Sequence, residues 1–536
     1  MIKLTETRAL PRANRLAQLM GLSLASLLAG CAVGPDYVPP ATQLQPFQHT
    51  PTVQNDGTQR TAPPLDTWWT GFDDPMLVTI VNRALAQNLD LAAAFARVQQ
   101  ARAVAQSAGA QLLPTLDLDA SATAEHQSLT SPVGSLARTF PGYSRDQREY
   151  TVGAAASWEI DLAGGLRRNA AAAAGELQAA QADQLGTRVT VAADAADAYL
   201  QVRGFQARLA VAQDQIETDA KLLELVRARR HAGAADEREI AQAEALLRQA
   251  RTVVPTLRAN LSAQLNRLDV LMGAQPGTYA NELTQGSGQA NGPAHGQAGD
   301  IPAIPPITAQ ASPTDVLRRR PDVIAAERRL AASNERIGAA LSDYYPKLSL
   351  SGLLGFDSLN TNDLFTARAF QPAITGGLRW RLFDFGKVDA EVQSARGANA
   401  EALAIYRQTV LKAAEDVENA FVSLTETQAR RVELDGEVAS LQRARDLSER
   451  AYRAGSITLT DVLDADRQLL VARDDLDATR ADAARAAVAA FRALGGGWST
   501  GVAQQAPAQP APAASATPVQ ESLLQQRFSS LTEDRG

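Results

Sequence analysis

Cysteine is almost absent from this sequence of 536 residues, which contains only Cys31. A chain with one cysteine cannot form an internal disulfide or a cysteine-based metal centre. The histidines are few and scattered without metal-ligand spacing, namely His49, His126, His231 and His295. No Ser/His/Asp grouping, phosphate-binding loop or metal cluster stands out, so the sequence predicts neither an enzyme nor a cofactor site.

Clustered basic residues are missing as well. The formal net charge is −7, and no extended run of Lys and Arg interrupts the acidic background. A surface that binds nucleic acid needs such clusters to neutralise phosphates, so we expect no nucleic-acid partner.

Long apolar runs are absent after residue 31. No uncharged apolar stretch there approaches the roughly 20 residues that a transmembrane helix needs. Any passage of the mature chain across a bilayer must therefore use strands, since only helices and closed barrels satisfy their backbone in lipid.

The N-terminus carries a targeting signal. Residues 1–30 have a basic start, the apolar stretch LAQLMGLSLASLLAG and small residues at the end, which predicts a cleaved secretory signal. The LLAGC ending resembles the lipobox of bacterial lipoproteins, which implies that Cys31 becomes the lipidated first residue. Ala32 resembles the residue found in lipoproteins sorted to the outer membrane. We therefore expect a chain anchored by lipid in the outer membrane and extending into the periplasm.

The chain contains an internal duplication. Three residues of the first copy recur 222 positions later: Trp158 as Trp380, Tyr199 as Phe421 and Gly233 as Gly455. Upstream, LLPTLDLDA around Pro114 matches YYPKLSLSG around Pro346 at a separation of 232, so the first copy has a longer loop. Each copy predicts a helix, a strand, a loop, a second strand, a very long helix, a glycine break and a shorter helix.

Four segments alternate apolar and polar residues as β-strands do. In TVGAAASWEIDL, the even-numbered residues from Val152 to Leu162 are all apolar and occupy one face of the strand. The odd-numbered residues from Thr151 to Asp161 occupy the other face. The same alternation runs through residues 115–125, 348–356 and 374–382. It is typical of transmembrane barrel strands, although a soluble two-layer sheet with one wet face would show it too. Even a small membrane barrel needs about eight strands, so the four strands of one chain cannot close a barrel and chains must combine. A dimer would supply eight strands and a trimer twelve, and both satisfy this requirement.

Two long segments favour helix. Residues 167–232 and 387–454 contain no proline and are dominated by Ala, Gln, Glu, Arg and Leu. At 1.5 Å per residue, each helix would be roughly 100 Å long, which a single globular core does not require. Their small-residue faces would allow close helix packing. A coiled-coil stalk is the alternative, but it would need a sustained Leu/Ile heptad seam that the sequence lacks.

Four motifs resemble one family. GCAVGPDYVPP at 30–40, LRRRPDVIAAERRL at 317–330, YYPKLSLSG at 344–352 and AGSITLTDVLDADRQLL at 454–470 are similar to motifs of the outer-membrane efflux proteins. These are the TolC-like channel-tunnels, here in the lipoprotein branch that serves RND-type tripartite pumps. The resemblance implies an α+β membrane channel: a trimeric 12-stranded β-barrel, four strands per chain, continued by a long α-helical periplasmic barrel. It also implies a homotrimer without catalysis or cofactor, joined by a periplasmic adaptor to an inner-membrane RND-type pump.

The domain organisation follows from these signals. We expect a signal peptide at 1–30, a lipidated N-terminal segment at 31–75 and a first structural repeat at 76–273. A Gly- and Pro-rich linker at 274–312 precedes the second repeat at 313–495, and a low-complexity tail occupies 496–536.

The two glycine breaks predict hairpin turns at the far end of the long helices. Gly233 and Gly455 can take the left-handed conformation cheaply and let the chain reverse. Asp461 and Asp464 then lie three apart on one face of the next helix. The resemblance places an acidic ring of the periplasmic gate at these positions, where six carboxylates per trimer would attract cations and raise some pKa values by repulsion. Acids that merely favour a helix start are the alternative.

Other gate residues also follow from the resemblance. Tyr452 matches a tyrosine that ties the closed tip in some members, and Glu239 of the first copy stands where Asp461 stands in the second. Those members pair the tyrosine with an Arg two residues after the glycine, a place taken here by Ile457. The expected apolar contacts with the adaptor follow the second turn: Val462, Leu463 and Ala465.

The predicted function is a passive exit duct for small toxic compounds, opened at its tip by adaptor and pump. An outer-membrane component of an ABC-driven type I protein secretion system would share the same fold. A periplasmic helical lipoprotein scaffold is the alternative from another class.

Overall fold

The computed structural model of the chain describes residues 32–41, 44–49, 62–284, 300–307 and 313–499. Cys31, the signal segment before it, most of the predicted linker and nearly all of the C-terminal tail lie outside the described residues. The chain forms two compact units. The first comprises Met1–Gln43, Arg97–Ala182 and Asp322–Leu411, and the second comprises Leu44–Ala96, Asp183–Pro321 and Lys412–Gly536.

The described chain contains ten α-helices and four β-strands. In order they are α1 Pro75–Gln87, α2 Leu89–Ala110, β1 Thr115–His126, α3 Pro132–Ala137, β2 Asp146–Ile160, α4 Gly165–His231, α5 Glu237–Leu271, α6 Ala280–Thr284, α7 Pro313–Arg319, α8 Pro321–Ser342, β3 Lys347–Ser358, β4 Phe370–Arg379, α9 Lys387–Arg453 and α10 Leu459–Ala493. Short 3₁₀ helices occupy Leu65–Phe72 and Thr361–Asp363.

The long helices confirm the internal duplication. Helices α4 and α9 each contain 67 residues, and α5 and α10 each contain 35. No helix of the described residues is both long and apolar enough to span a membrane. The single helix expected before the first strand of each copy is wrong, because two helices are present. In the first copy the break falls at Asn88, whose side chain accepts hydrogen bonds from Asp90 N and Leu91 N and so caps α2. In the second copy it falls before Pro321, which cannot continue α7.

The four strands of the first unit form one antiparallel sheet in the order β1-β2-β3-β4. The register places apolar residues opposite one another across the sheet, as in Leu116 with Ala156, Val152 with Phe356 and Leu348 with Leu378. This face remains largely exposed: Leu118 is 79% exposed, Leu354 61% and Ile374 85%. The alternation predicted from the sequence therefore produces a continuous apolar face on the sheet.

The sheet differs from expectation at its ends. β4 ends at Arg379, so Trp380 and Leu382 lie beyond the strand. The indole Nε1 of Trp380 donates to Tyr344 O at 3.0 Å, and Trp158 donates equivalently to Leu112 O at 3.0 Å. These two bonds give an outward-facing aromatic ring a polar partner in each copy. The longer loop of the first copy contains the short helix α3.

A segment of the N-terminus packs in the first unit. A Cβ on Gly164 would come within 2.8 Å of Ala32, and Gly164 has a φ of +82°, so only glycine fits there. Val33 N donates to Ala163 O at 3.0 Å, and the buried Arg168 pairs with Asp36. Ala32 thus packs beside the short connection that joins the end of β2 to the start of α4.

Aromatic side chains build the core of the second unit. Trp68 stacks on Phe491 of α10 with ring centroids 5.4 Å apart, and Trp69 and Phe72 lie beside it, almost fully buried. Burying a large apolar side chain contributes about 1.5–3 kcal/mol. The Tyr199 hydroxyl donates to Asp74 at 2.6 Å, which joins α4 to the N-terminal cap of α1. This anchoring fixes the helices whose other ends carry the hairpin turns.

Candidate functional site

Both long helices end at a glycine in the left-handed conformation. Gly233 has a φ of +74° and Gly455 a φ of +75°. Behind Gly233, the amides of Gly233 and Ala234 donate to Arg230 O and Arg229 O, and the second copy repeats both bonds. This is the Schellman arrangement, which satisfies the last helical carbonyls while the chain reverses. The hairpin turns are therefore set by the two glycines.

The helices next to these turns share a small apolar core, called here the tip core. Its buried members come from α4, α5, α9 and α10: Leu222, Leu223, Val226, Ala243, Leu247, Tyr452, Leu459 and Val462. Ile457, the residue that replaces the expected arginine, packs against this core. The two hairpins are thus held together by apolar contacts as well as by polar ones.

Three polar side chains form what we call the tip latch: Arg229, Glu239 and Tyr452. The Tyr452 hydroxyl donates to Glu239 Oε2 at 3.1 Å. The Arg229 guanidinium lies 4.3 Å from the centroid of the Tyr452 ring and donates to Tyr452 O at 2.7 Å. Burial and the hydrogen bond to Glu239 raise the pKa of Tyr452 to about 12. The phenol therefore stays protonated and able to donate at neutral pH.

Asp461 forms part of the N-terminal cap of α10. Its carboxylate accepts from Thr458 N at 2.9 Å and from the Thr458 hydroxyl at 2.7 Å. These bonds lower the pKa of Asp461 from 3.8, so the cap is present at neutral pH and is lost only as the pH falls below that value. Asp461 therefore stabilises the start of α10, which was the alternative interpretation of the sequence. Its carboxylate remains exposed and charged.

Asp464 is exposed on the next turn of α10. Its carboxylate accepts from Gln468 Nε2 at 2.7 Å and lies 3.7 Å from Arg467. Within one chain, Asp461 and Asp464 both present charge at the surface of the same short stretch of helix.

The residues expected to contact an adaptor differ in accessibility. Val462 is fully buried in the tip core and is not available to a docking partner in this conformation. Leu463 and Ala465 are half-buried. A surface contact beside the second turn would therefore rest on these two residues.

Two carboxylates lie buried among the helices behind the turns. Asp219 of α4 and Asp466 of α10 are each 1% exposed. Gln215 donates to Asp219 at 2.7 Å, and Arg445 of α9 donates to Asp466 at 2.8 Å. Sequence reasoning missed both acids, although a signal existed for Asp466. It follows Leu459 and Val462 and precedes Leu469 at helical spacing, which places it on the buried face.

Metal ligation has no support in this part of the chain. Among the residues that the structure describes, no group of three or more His, Cys, Asp or Glu side chains is arranged to hold an ion. The chemistry available at the tip is that of hydrogen bonds and charge.

An apolar-faced sheet followed by long helices that end in tied hairpins defines a class of protein, the TolC-like channels. The sequence matches the family described as Outer membrane efflux protein over residues 80–274 and 313–496. The chain therefore belongs to the outer membrane efflux protein family. This family consists of channel proteins, and the fold class expected from the sequence, one protomer of a trimeric channel with four strands per chain, is confirmed.

Similar proteins support this assignment. The pyoverdine export outer membrane protein OpmQ of Pseudomonas putida is 33% identical over 433 residues, covering 80% of this chain and 88% of its own. The outer-membrane channel OprN is 32% identical with a TM-score of 0.76, covering 87% of this chain and 100% of its own. The open state of the Neisseria gonorrhoeae MtrE channel is 25% identical with a TM-score of 0.75, covering 87% of this chain and 98% of its own.

Proposed function

We propose that this chain is the outer-membrane exit duct of an RND-type tripartite multidrug efflux system. Three copies would close their four-stranded sheets into a twelve-stranded barrel, since an open sheet edge is not tolerated in lipid. The observation that carries this proposal is the exposed apolar face of the sheet, which runs across all four strands. The duct is passive, and a periplasmic adaptor and an inner-membrane pump open its tip.

The packed hairpins represent the closed tip in this proposal. The tip latch joins Glu239 of the first copy to Tyr452 of the second, so separating the two hairpins breaks it. Asp461 and Asp464 of three chains would form the acidic ring at the opening. Leu463 and Ala465, near the turn at Gly455, are the contacts we propose for the adaptor.

Assembly and conduction test the proposal directly. Outer membranes that contain the full-length protein should yield heat-modifiable trimers, and these should conduct ions in planar bilayers. A deletion strain should become more susceptible to small toxic compounds. If the deletion strain instead stopped secreting a protein while its drug susceptibility stayed unchanged, the result would support type I secretion. A soluble monomer without conductance would support a periplasmic scaffold and contradict the duct.

Lipidation of Cys31 is the second part of the proposal. The lipobox precedes it, and the described chain begins one residue later beside Gly164, at the end of the sheet where α4 starts. An acyl chain at residue 31 would then insert next to the barrel. Cys31→Ser should abolish incorporation of labelled palmitate, while trimers still float with outer membranes because the barrel holds them. Label retained in the variant would refute this assignment.

The domain organisation that we propose keeps the boundaries expected from the sequence, at 1–30, 31–75, 76–273, 274–312, 313–495 and 496–536. In its support, Gly273 and Gly495 end α5 and α10 with the same left-handed turn, each with a φ of +70°. The two repeats thus finish alike.

A further inference from the structure

The buried acids behind the tip are not explained by the latch or by the acidic ring. Asp219 and Asp466, called here the buried acid pair, each have an Oδ2 atom that is buried and makes no hydrogen bond within the described structure. A buried carboxylate oxygen without a partner is costly when ionised, because water solvates it far better than the protein interior does. The arrangement therefore favours a proton on the pair.

The charges around the pair do not balance it. Asp219 receives a hydrogen bond only from the neutral Gln215 among the bonds described for it, whereas Arg445 is shared between Asp466 and Glu449. Arg445 also lies 3.5 Å from Asp446. One guanidinium thus faces several carboxylates, and the acid it engages least is Asp219.

Two further arginines on the helices that carry the pair have hydrogen-bond partners of their own. Arg473 of α10 pairs with Asp214 at 3.2 Å and donates to Gln442. On α4, Arg227 pairs with Glu244 of α5 at 2.8 Å. Neither arginine donates a hydrogen bond to the buried acid pair among the contacts described, although the charge of Arg473 lowers the pKa of Asp466.

The pKa values follow this geometry. Burial raises the pKa of Asp219 from 3.8 to about 6, with the charge of Asp466 adding to the rise and Arg445 opposing it. Burial also raises the pKa of Asp466, against the hydrogen bond and charge of Arg445. The hydrogen bonds from Thr458 move the pKa of Asp461 the other way, below 3.8, so Asp461 and Asp219 titrate in different ranges.

We propose that the buried acid pair is a proton-operated switch of the tip: a proton on Asp219 holds α10 against α4, and its loss favours separation of the hairpins. This inference rests on the proposed function, in which that separation opens the duct. In the separated state Asp219 meets water and regains its ordinary acidity. The packed state is therefore fully favoured below about pH 4 and loses that advantage as the pH rises through about 6. Acidification closes the duct.

Hydrogen exchange tests the switch without relying on conduction. The full-length protein in lipid nanodiscs would be compared with Asp219→Asn, a neutral side chain of the same shape, by following amide exchange in residues 459–470 at equal pH. At pH 7 we expect slower exchange in the variant, by on the order of 10- to 100-fold, as the two pKa values imply. At pH 4 the two proteins should exchange alike.

Two further variants sharpen the test. Asp482→Asn removes an exposed acid from the same helix, outside the proposed acidic ring, and should keep the wild-type pH response. Asp466→Asn removes the charge that raises the pKa of Asp219, so it should move the response to lower pH, and it keeps the test available if Asp219→Asn does not fold. Equal exchange of wild type and Asp219→Asn at pH 7, or faster exchange in the variant, would overturn the switch.

Conductance separates this inference from the proposed function. In planar bilayers, the wild-type current should fall between pH 7 and pH 4, whereas Asp219→Asn should carry a low current throughout. If no variant conducted at any pH, the duct itself would be refuted and the exchange data would still decide on the switch. Current that falls with pH equally in both proteins would contradict the switch and leave the duct standing.

Discussion

The double variant Tyr452→Phe with Arg229→Ala is expected to conduct several-fold more current in planar bilayers than the wild-type protein, with no adaptor or pump present. Tyr452 is 1% exposed, and its hydroxyl makes the bond to Glu239 that joins the two hairpins. A hydrogen bond to a charged group contributes about 1.5–3 kcal/mol, and a cation–π contact about 1–2 kcal/mol. Each 1.4 kcal/mol changes the closed-to-open ratio about tenfold, so losing the latch in every protomer has a large effect.

The first helical turn of α5 supplies a matched control. Glu237 lies two residues before Glu239 on that turn, is exposed and does not reach Tyr452. Glu237→Ala should therefore leave the conductance unchanged, while Glu239→Ala raises it. If the latch variants melted at a lower temperature but conducted like the wild type, Tyr452 would be a packing residue only.

Much of the fold could be predicted because its signals are local. Helix-forming composition and a glycine at each C-terminus gave the ends of α4 and α9 to within two residues, since Schellman turns depend on adjacent residues. Alternation gave the faces of the sheet for a similar reason. The break at Asn88 was missed because a side-chain cap inside a continuous helical pattern competes with the helix only through its own hydrogen bonds.

The tip shows where local signals fail. Gly233, Gly455, Asp461 and Asp464 were placed by spacing and resemblance, and the structure brings them into one region. Arg229 could not be found in this way, since it contacts Tyr452, which is 223 positions away, and no periodic pattern links the two. Because Ile457 stands where some family members have an arginine, the sequence did not predict which contacts close the tip. The structure shows that a cation from the other hairpin reaches the tyrosine instead.

Two other features were harder to predict for opposite reasons. Val462 was expected at a docking surface because it follows the turn, yet its helical spacing with Leu459 puts it in the tip core. Asp466 was not predicted to be buried because the acids just before it, Asp461 and Asp464, are exposed. In both cases the position on the helix face, rather than the distance from the glycine, decides burial.

The acidic ring leads to the second large effect. Replacing Asp461 and Asp464 together by Asn should bring the cation-to-anion permeability ratio of the duct close to unity and relieve block by multivalent cations. Asn keeps the acceptor atoms that bond Thr458 and Gln468, so the helix start survives while the charge is lost. In a trimer this change removes six carboxylates from one narrow opening, where like charges concentrate the field.

Ionic strength and a conservative variant make this measurement decisive. The Debye length is about 10 Å at 0.1 M salt and about 3 Å at 1 M, so the difference between wild type and double variant should be largest at low salt. Asp464→Glu keeps the carboxylate on the same exposed turn and should retain the selectivity. Unchanged selectivity in the double Asn variant at 0.1 M salt would show that these acids only cap and solvate α10, and that the ring must be sought elsewhere in the duct.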